Sequence, residues 1–186
     1  MPLKSKQPRI APLEPPFDVE AAAALDQLGP PIQLFRVWAR RPDLAHGVAS
    51  WGRYYFSRRS ALSVRQRELV IDRTTALCGA DYEWGVHVAT FAEKAGLDAA
   101  QIRSLAGGNP TDACWDPADR ALLAAVDELH ATCDLGDATW ADLVAAVGED
   151  GALDVLLVSG WYHAISFTVR ALRLPPEPGA ARLNSP

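Results

Sequence analysis

The spacing of apolar residues is the feature that most restricts the fold of this 186-residue chain. In one segment Leu69 and Val70 are followed two helical turns later by Ala76 and Leu77, so that these side chains share one helix face. No segment alternates apolar and polar residues over the length of a β-strand. The sequence therefore predicts an all-α fold, and a chain of this length can bury a sizeable core.

Capping residues and glycines predict where the helices begin and end. Ser63 stands three residues before Gln66, the spacing of a capping box, and predicts a helix that runs to about Cys78 before Gly79 ends it. Asp81 is predicted to cap the next helix. The predicted helices span residues 18–28, 32–40, 44–58, 64–78, 83–95, 99–105, 117–130, 137–147 and 151–174, with Gly148 separating the last two.

Proline-rich segments at both ends divide the chain into three parts. Residues 1–17 are predicted to form an extended N-terminal arm, and residues 175–186 a C-terminal tail, each lying on this subunit or on a neighbour. Residues 18–174 are predicted to form the helical domain.

Charge and hydropathy argue against several classes of protein. The formal net charge is −5, and the basic residues occur in short pairs such as Arg40 and Arg41, so no basic stripe is present to bind nucleic acid. The first twenty residues carry no apolar segment of a secretory signal, and no apolar run reaches the roughly 18 residues of a membrane span. We therefore expect a cytoplasmic protein with no nucleic-acid or membrane partner.

The cysteines give no sign of a metal or redox centre. Cys78, Cys114 and Cys133 form neither a CxxC pair nor the spacing of a metal site, and an odd number in a cytoplasmic protein predicts reduced thiols. Glu83 and His87 supply only two ligands at one helical spacing. Neither a metal nor an organic cofactor is expected.

Three titratable residues are predicted to share one site. Glu83 and His87 are four residues apart on one predicted helix, so their side chains are neighbours on the same face. Glu68 lies on the preceding helix, and the short turn at Gly79 and Ala80 allows a hairpin to bring it to the same place. Such a cluster can hold one group near neutral pH as a general acid or base. The alternative is a surface ion pair and an unrelated surface glutamate.

Five further residues are candidates for a substrate pocket. Tyr82 and Trp84 flank the second glutamate and can wall a pocket, although aromatic residues in a hairpin more often serve only for packing. Tyr162 and His163 lie on the apolar last helix, where the histidine either faces the same cavity or is a satisfied core residue. Arg73 is a candidate for the positive charge that stabilises a carbanion or enolate.

The run RELVIDRTTAL, then YEW, then a histidine four residues after the glutamate resembles the signature of the carboxymuconolactone decarboxylase superfamily, which includes the alkyl hydroperoxidase D proteins. In that signature a glutamate, a CxxC pair and a histidine follow one another, and Glu68 and His87 match the first and last. Ala80 and Glu83 occupy the two cysteine positions, so the redox dithiol is absent. The resemblance covers roughly residues 32–177 and implies an alkyl hydroperoxidase D-like helical bundle built on a helical hairpin. It also implies a homo-oligomer such as a trimer or hexamer.

Three functions are consistent with this resemblance. The first is carboxymuconolactone decarboxylase-like, metal-free acid–base chemistry on a small organic acid, lactone or related carbonyl compound. Its catalytic residues would be Glu68, Glu83 and His87, with Glu83 orienting the histidine. The second is a thiol peroxidase that uses Cys78 or Cys133 in place of the missing pair. The third is a non-catalytic binding protein on the same fold.

Overall fold

The computed structural model describes residues 7–183, and these residues contain eight α-helices and no β-strand. The all-α prediction is confirmed, and each predicted helix has a counterpart whose boundaries differ by a few residues. Residues 1–6 of the predicted arm and 184–186 of the predicted tail lie outside the described residues. The helices are α1 (Val19–Leu28), α2 (Gln33–Trp38), α3 (Pro42–Tyr55), α4 (Val64–Leu77), α5 (Asp81–Phe91), α6 (Ala99–Gly107), α7 (Pro117–Thr132) and α8 (Asp137–Leu172).

Helices α4 and α5 form the hairpin that carries the candidate site. Ser63 and Gln66 make the predicted capping box, in which the Ser63 hydroxyl accepts from the Gln66 amide and the Gln66 side chain accepts from the Ser63 amide. Gly79 has φ of 62°, a left-handed conformation that glycine adopts without strain, and this allows the tight turn. The predicted cap at Asp81 is wrong. Ala80 occupies the N-cap position, and the Asp81 carboxylate accepts instead from the amide of Leu183 in the tail.

Helix α4 lies at the centre of the molecule. Residues 67–75 are buried without interruption, because α5, α6, α7 and α8 all pack around this helix. The last helix, although apolar in sequence, is less enclosed, because α8 leaves Leu153, Leu157 and Phe167 exposed on its outer side. A helix enclosed in this way buries polar side chains as well as apolar ones, and these polar groups must find partners inside the protein.

The break that the sequence predicts at Gly148 is confirmed, because this residue interrupts the helical conformation of α8. Gly148 has φ of 74° and ψ of 171°, outside the helical region, so the chain kinks there. The two predicted helices are the two arms of α8. Among residues 7–183 no helix, α8 included, combines the length and the hydropathy needed to cross a lipid bilayer.

The described parts of both proline-rich ends lie on helices of the same chain. The amide of Arg9 donates to the carbonyl oxygen of Leu172 at 2.9 Å. At the other end Glu177 Oε1 accepts from the amide of Gln33 and from the hydroxyl of Tyr82, both at 2.6 Å. The tail thereby ties the start of α2 to α5.

Candidate active site

A buried hydrogen bond between Glu68 and His87 forms the centre of the candidate site. Oε2 of Glu68 lies 2.8 Å from Nδ1 of His87. Glu68 on α4 is fully buried, and His87 on α5 is 4% exposed. The hairpin sets the two helices side by side, and so the structure brings together the two residues that match the ends of the signature.

Arg67 balances the buried charge of Glu68. Nε and Nη2 of Arg67 lie 2.8 and 2.7 Å from Glu68 Oε1, and the guanidinium group stacks 4.3 Å from the centre of the Phe56 ring. Burying a carboxylate is tolerated where charged partners and hydrogen bonds replace water. Sequence analysis missed Arg67 because residues next to each other on a helix do not usually face one another.

The second ring nitrogen of His87 faces Tyr162 on α8 and Glu83 on α5. Nε2 lies 3.1 Å from the Tyr162 hydroxyl and 3.5 Å from Glu83 Oε1. The sequence had predicted that Glu83 orients the ring, but the shorter, orienting contact is made by Glu68. Glu83 lies one helical turn before His87 and reaches only Nε2. Glu83 Oε2 has no hydrogen-bond partner among the described residues.

The surroundings of His87 favour its protonated form. Burial by itself lowers the pKa of His87, but the charge and hydrogen bond of Glu68, together with the weaker influence of Glu83, outweigh it and raise the pKa to about 10. Burial, with Glu83 and Glu68, raises the pKa of Tyr162 well above its ordinary value. At neutral pH the site therefore presents an imidazolium beside a neutral phenol.

Asp72 is a second buried acid that sequence analysis missed. It lies one helical turn after Glu68, and neither of its carboxyl oxygens has a hydrogen-bond partner among the described residues. Burial raises its pKa well above the ordinary value; His87 opposes this rise and Glu68 adds to it. The i, i+4 spacing from Glu68 was the available sequence signal. Glu68, Asp72 and His87 place ligand atoms within 4.8 Å of one another, but Arg67 already supplies a cation to Glu68.

An aromatic cavity of about 400 Å³ lies against the free side of His87. His87, Glu83 and Tyr162 contribute polar groups to its wall, and Arg53 contributes a guanidinium group. The rest of the wall is largely apolar, so the cavity suits a ligand with apolar surface. The aromatic members of the wall are Phe35, Trp38, Phe56, Phe91 and Trp161.

Of the five predicted pocket residues only Tyr162 lines this cavity, and Arg73, Tyr82 and Trp84 make other contacts. Arg73 points to another part of the molecule, where Nε and Nη2 bind the two carboxylate oxygens of Asp127 at 2.6 and 2.7 Å. Tyr82 is buried, and its hydroxyl accepts from the amide of Leu34 while binding the tail. Trp84 is 3% exposed and packs in the interior. Their position on α4 and α5 was predicted correctly, but the direction of each side chain depends on what packs against those helices.

The remaining candidates, His163 and Cys78, line a second cavity of about 920 Å³ on the other side of the bundle. His163 Nε2 lies 2.9 Å from Nδ1 of His130, which in turn lies 4.0 Å from the Cys78 sulfur. His163 is thus not in the cavity of His87, because consecutive residues of α8 point about 100° apart. Burial raises the pKa of the Cys78 thiol, with Ser166 and Arg170 opposing this rise. Cys78, His130 and His163 place ligand atoms within 4.8 Å of one another.

Comparison with known proteins identifies a family region and a shared fold. Residues 42–128 match the model of the carboxymuconolactone decarboxylase family. No curated protein matches the sequence.

Three solved structures resemble this one at low sequence identity. One is a protein of Agrobacterium tumefaciens proposed to be the antioxidant defence protein AhpD, with a TM-score of 0.66, 18% identity, and coverage of 74% of this chain and 93% of that chain. Another is an uncharacterized peroxidase-related protein from Silicibacter sp. TM1040, with a TM-score of 0.75, 16% identity, and coverage of 92% and 94%. The third is the debrominase Bmp8, as a cysteine-to-alanine variant in complex with 2,3,4-tribromopyrrole, with a TM-score of 0.71, 15% identity, and 94% of both chains covered.

These structural matches establish the fold, and neither they nor the family match assigns a reaction. Residues 42–128, just under half of the chain, match the carboxymuconolactone decarboxylase family model, and the described residues have the alkyl hydroperoxidase D-like helical fold.

Proposed function

We propose that this protein is an enzyme in which His87 transfers a proton to or from a small carbonyl compound, such as an organic acid or lactone, bound in the 400 Å³ cavity. The observation that carries the proposal is the hydrogen bond that Nδ1 of His87 donates to Glu68, because it leaves Nε2 as the other nitrogen of a ring that lines the cavity. A carboxylate that fixes one ring nitrogen and leaves the other for the reaction is a recurring arrangement in acid–base catalysis.

The electrostatics support a role for His87 as the acid. Glu68 holds the imidazolium form, and the adjacent Tyr162 hydroxyl and Glu83 carboxylate provide a route by which the ring is reprotonated. Glu83 has a carboxylate oxygen without a partner in the described residues, and it lines the cavity. These groups sit among aromatic walls, where charge interactions are stronger than in water.

For a decarboxylation the steps balance without a redox partner. The bond between the α-carbon and the carboxylate breaks, carbon dioxide leaves, and the electron pair remains on the α-carbon, delocalised into the neighbouring carbonyl group. The proton on His87 Nε2 then moves to that carbon. A proton from solvent restores the imidazolium, so that one carboxylate and one proton yield the product and carbon dioxide.

The lining of the cavity is suited to a flat, largely apolar substrate that carries one negative charge. Phe56, Phe91 and Trp161 supply apolar walls, and Arg53 supplies the positive charge that sequence analysis had expected from Arg73. The debrominase of similar fold binds a small aromatic ring, a tribromopyrrole. A ring compound of this size is therefore the class to test first.

The peroxidase alternative has weaker support in this chain. Cys78 lies in the other cavity, and its burial disfavours the thiolate that attacks a peroxide. The Cys78 sulfur lies 4.0 Å from Nδ1 of His130, in a cavity that the Glu68–His87 pair does not line. A binding protein without catalysis is the other alternative, and only turnover distinguishes it from an enzyme.

The decisive experiment measures carbon dioxide release from a panel of lactone acids and related ring acids. We expect turnover by the unaltered protein and a loss of about 10²- to 10⁴-fold in His87→Gln, the usual contribution of a general acid or base. Cys78→Ser is the matched control and should keep full activity. Equal turnover in His87→Gln would refute the assigned mechanism.

A parallel assay follows peroxide consumption with a dithiol reductant, before and after thiol alkylation. Peroxide consumption that alkylation abolishes would move the activity to a cysteine. Saturable ligand binding in the cavity, with no turnover of any panel member, would favour the binding protein.

A further inference from the structure

We propose that Cys78, His130 and His163 form a binding site for a divalent transition metal ion of the zinc class, separate from the Glu68–His87 cavity. The three residues come from three different helices: Cys78 is the C-cap of α4, His130 lies in the last turn of α7, and His163 is in the second arm of α8. Their ligand atoms lie within 4.8 Å of one another.

The distances between these atoms suit tetrahedral coordination. Zn–N bonds of about 2.0 Å and a Zn–S bond of about 2.3 Å place two nitrogens about 3.3 Å apart, and a nitrogen about 3.5 Å from sulfur, at the tetrahedral angle. The corresponding distances here are 2.9 Å from His130 Nδ1 to His163 Nε2 and 4.0 Å from His130 Nδ1 to the Cys78 sulfur. Shifts of about 0.5 Å would bring these two distances to the separations that such coordination requires, and the third pair, the Cys78 sulfur and His163 Nε2, lies within 4.8 Å.

The hydrogen bonding of His163 prepares the correct nitrogen for a metal. Nδ1 of His163 lies 2.8 Å from the carbonyl oxygen of Ser159, an acceptor, so Nδ1 carries the proton and Nε2 has a free lone pair. Metal-binding histidines commonly donate their second N–H to a carbonyl or carboxylate in this way. The short contact between Nε2 and His130 Nδ1 then requires one shared proton, which a metal ion would displace.

The combination of one thiol and two imidazoles defines the class of metal. Thiolate and imidazole ligands favour Zn²⁺ over Mg²⁺ or Ca²⁺, which prefer oxygen. Cys78 is buried, while the two histidines are partly exposed to the 920 Å³ cavity. Three protein ligands leave one coordination position, and it would face this cavity, where water or a small molecule could bind.

Cys78 and His130 lie 52 positions apart in the chain, and His130 and His163 lie 33 apart, so no sequence motif marks the three residues. Cys133 also lines the cavity but is not one of the three clustered ligands. It therefore offers a matched control, since Cys133→Ser removes a thiol from the same cavity without altering the proposed ligands.

The test titrates Zn²⁺ into the untagged 186-residue chain with its thiols kept reduced, and measures affinity and stoichiometry by calorimetry. We expect one ion per chain. Cys78→Ser and His163→Gln should each weaken binding by at least about tenfold, whereas Cys133→Ser should leave the affinity within about twofold. Far-ultraviolet circular dichroism of each variant establishes that the helices are retained.

Cobalt(II) provides a second measurement that reports the ligand directly. A thiolate-to-cobalt charge-transfer band should appear in the unaltered protein and in Cys133→Ser, and it should be absent in Cys78→Ser. The proposal is overturned if the unaltered protein binds less than one ion per chain at saturating Zn²⁺, or if Cys133→Ser, rather than Cys78→Ser, removes the band. Unchanged affinity in both Cys78→Ser and His163→Gln would also reject it.

Discussion

Oε2 of Glu68 and Nδ1 of His87 are 2.8 Å apart although the two residues are separated by 19 positions in the chain. This contact decides which nitrogen of the imidazole is available, because Nδ1 is occupied inside the protein and Nε2 lies on the side of Tyr162. Arg67 holds the other oxygen of Glu68, so the carboxylate has little freedom to turn away. The proposed proton transfer therefore passes through Nε2.

Replacing Glu68 by Gln should lower the pKa of His87, because the main charge that raises it would be lost. We expect the imidazole signal of His87 in an NMR titration to shift its midpoint to lower pH by more than about one unit. Turnover of a substrate should fall at least about tenfold. Glu93→Gln, at the exposed end of the same region, is the control, and an unchanged midpoint in Glu68→Gln would contradict the prediction.

The raised pKa of His87 gives the protein a specific dependence of stability on pH. A histidine whose pKa is higher in the folded state contributes stability that is fully present below about pH 6.5 and is lost as pH rises through about 10. The difference in free energy of unfolding between the unaltered protein and His87→Gln should therefore shrink over that interval in urea denaturation. The titratable groups that face the ring are Glu68 and Asp72 from α4, Glu83 from α5 and Tyr162 from α8, and the charged Arg67 lies behind Glu68.

The variant Asp72→Asn tests whether the buried carboxyl group of Asp72 is protonated, and therefore neutral, in the folded protein. Because the pKa of Asp72 is raised on folding, the folded protein retains a proton that the unfolded chain loses above about pH 4, and stability falls as pH rises. Asn cannot ionise and removes this slope. The stability of Asp72→Asn relative to the unaltered protein should consequently increase as pH rises above about 4, the ordinary pKa of an aspartate. A pH-independent difference in urea midpoints would show that Asp72 is ionised in the folded state.

Gly85 and Gly160 form a matched pair for testing how the tail packs. A Cβ on Gly85 would collide with the carbonyl oxygen of Ala181, whereas a Cβ on Gly160 has open space around it. Gly85→Ala should lower the free energy of unfolding by about 1–3 kcal/mol and make the tail accessible to proteases. Gly160→Ala, in the interior of α8, should raise the free energy of unfolding by about 0.5–1 kcal/mol, because alanine has the higher helix propensity. Equal unfolding midpoints for the two variants would mean that the tail does not rest on α5.

Arg53→Gln should weaken the binding of an anionic substrate without changing the proton transfer. We expect KM to rise about 3- to 10-fold, since an exposed charged contact contributes only modestly, while kcat remains within about twofold. Arg58→Gln, exposed and outside the cavity, is the control. A fall in kcat with unchanged KM would place Arg53 at the reacting atoms instead of at the substrate carboxylate.

Local signals in the sequence were sufficient for the helices and for the hairpin. The capping box at Ser63 and the left-handed Gly79 depend on residues within one turn of each other, so their effects do not need the rest of the fold. The pairing of Glu68 with His87 could also be anticipated, because a short turn between two helices leaves few ways to pack them.

The sequence by itself determined which helices form and which of them carry the acids and the histidine of the site. Only the tertiary structure decided what each side chain faces: Arg73 binds Asp127, and His163 meets His130 and Cys78 in a separate cavity. The physical reason is that helix formation depends on neighbours in the chain, whereas the direction and charge of a buried polar group depend on partners from other helices. Those partners are fixed only when the helices pack.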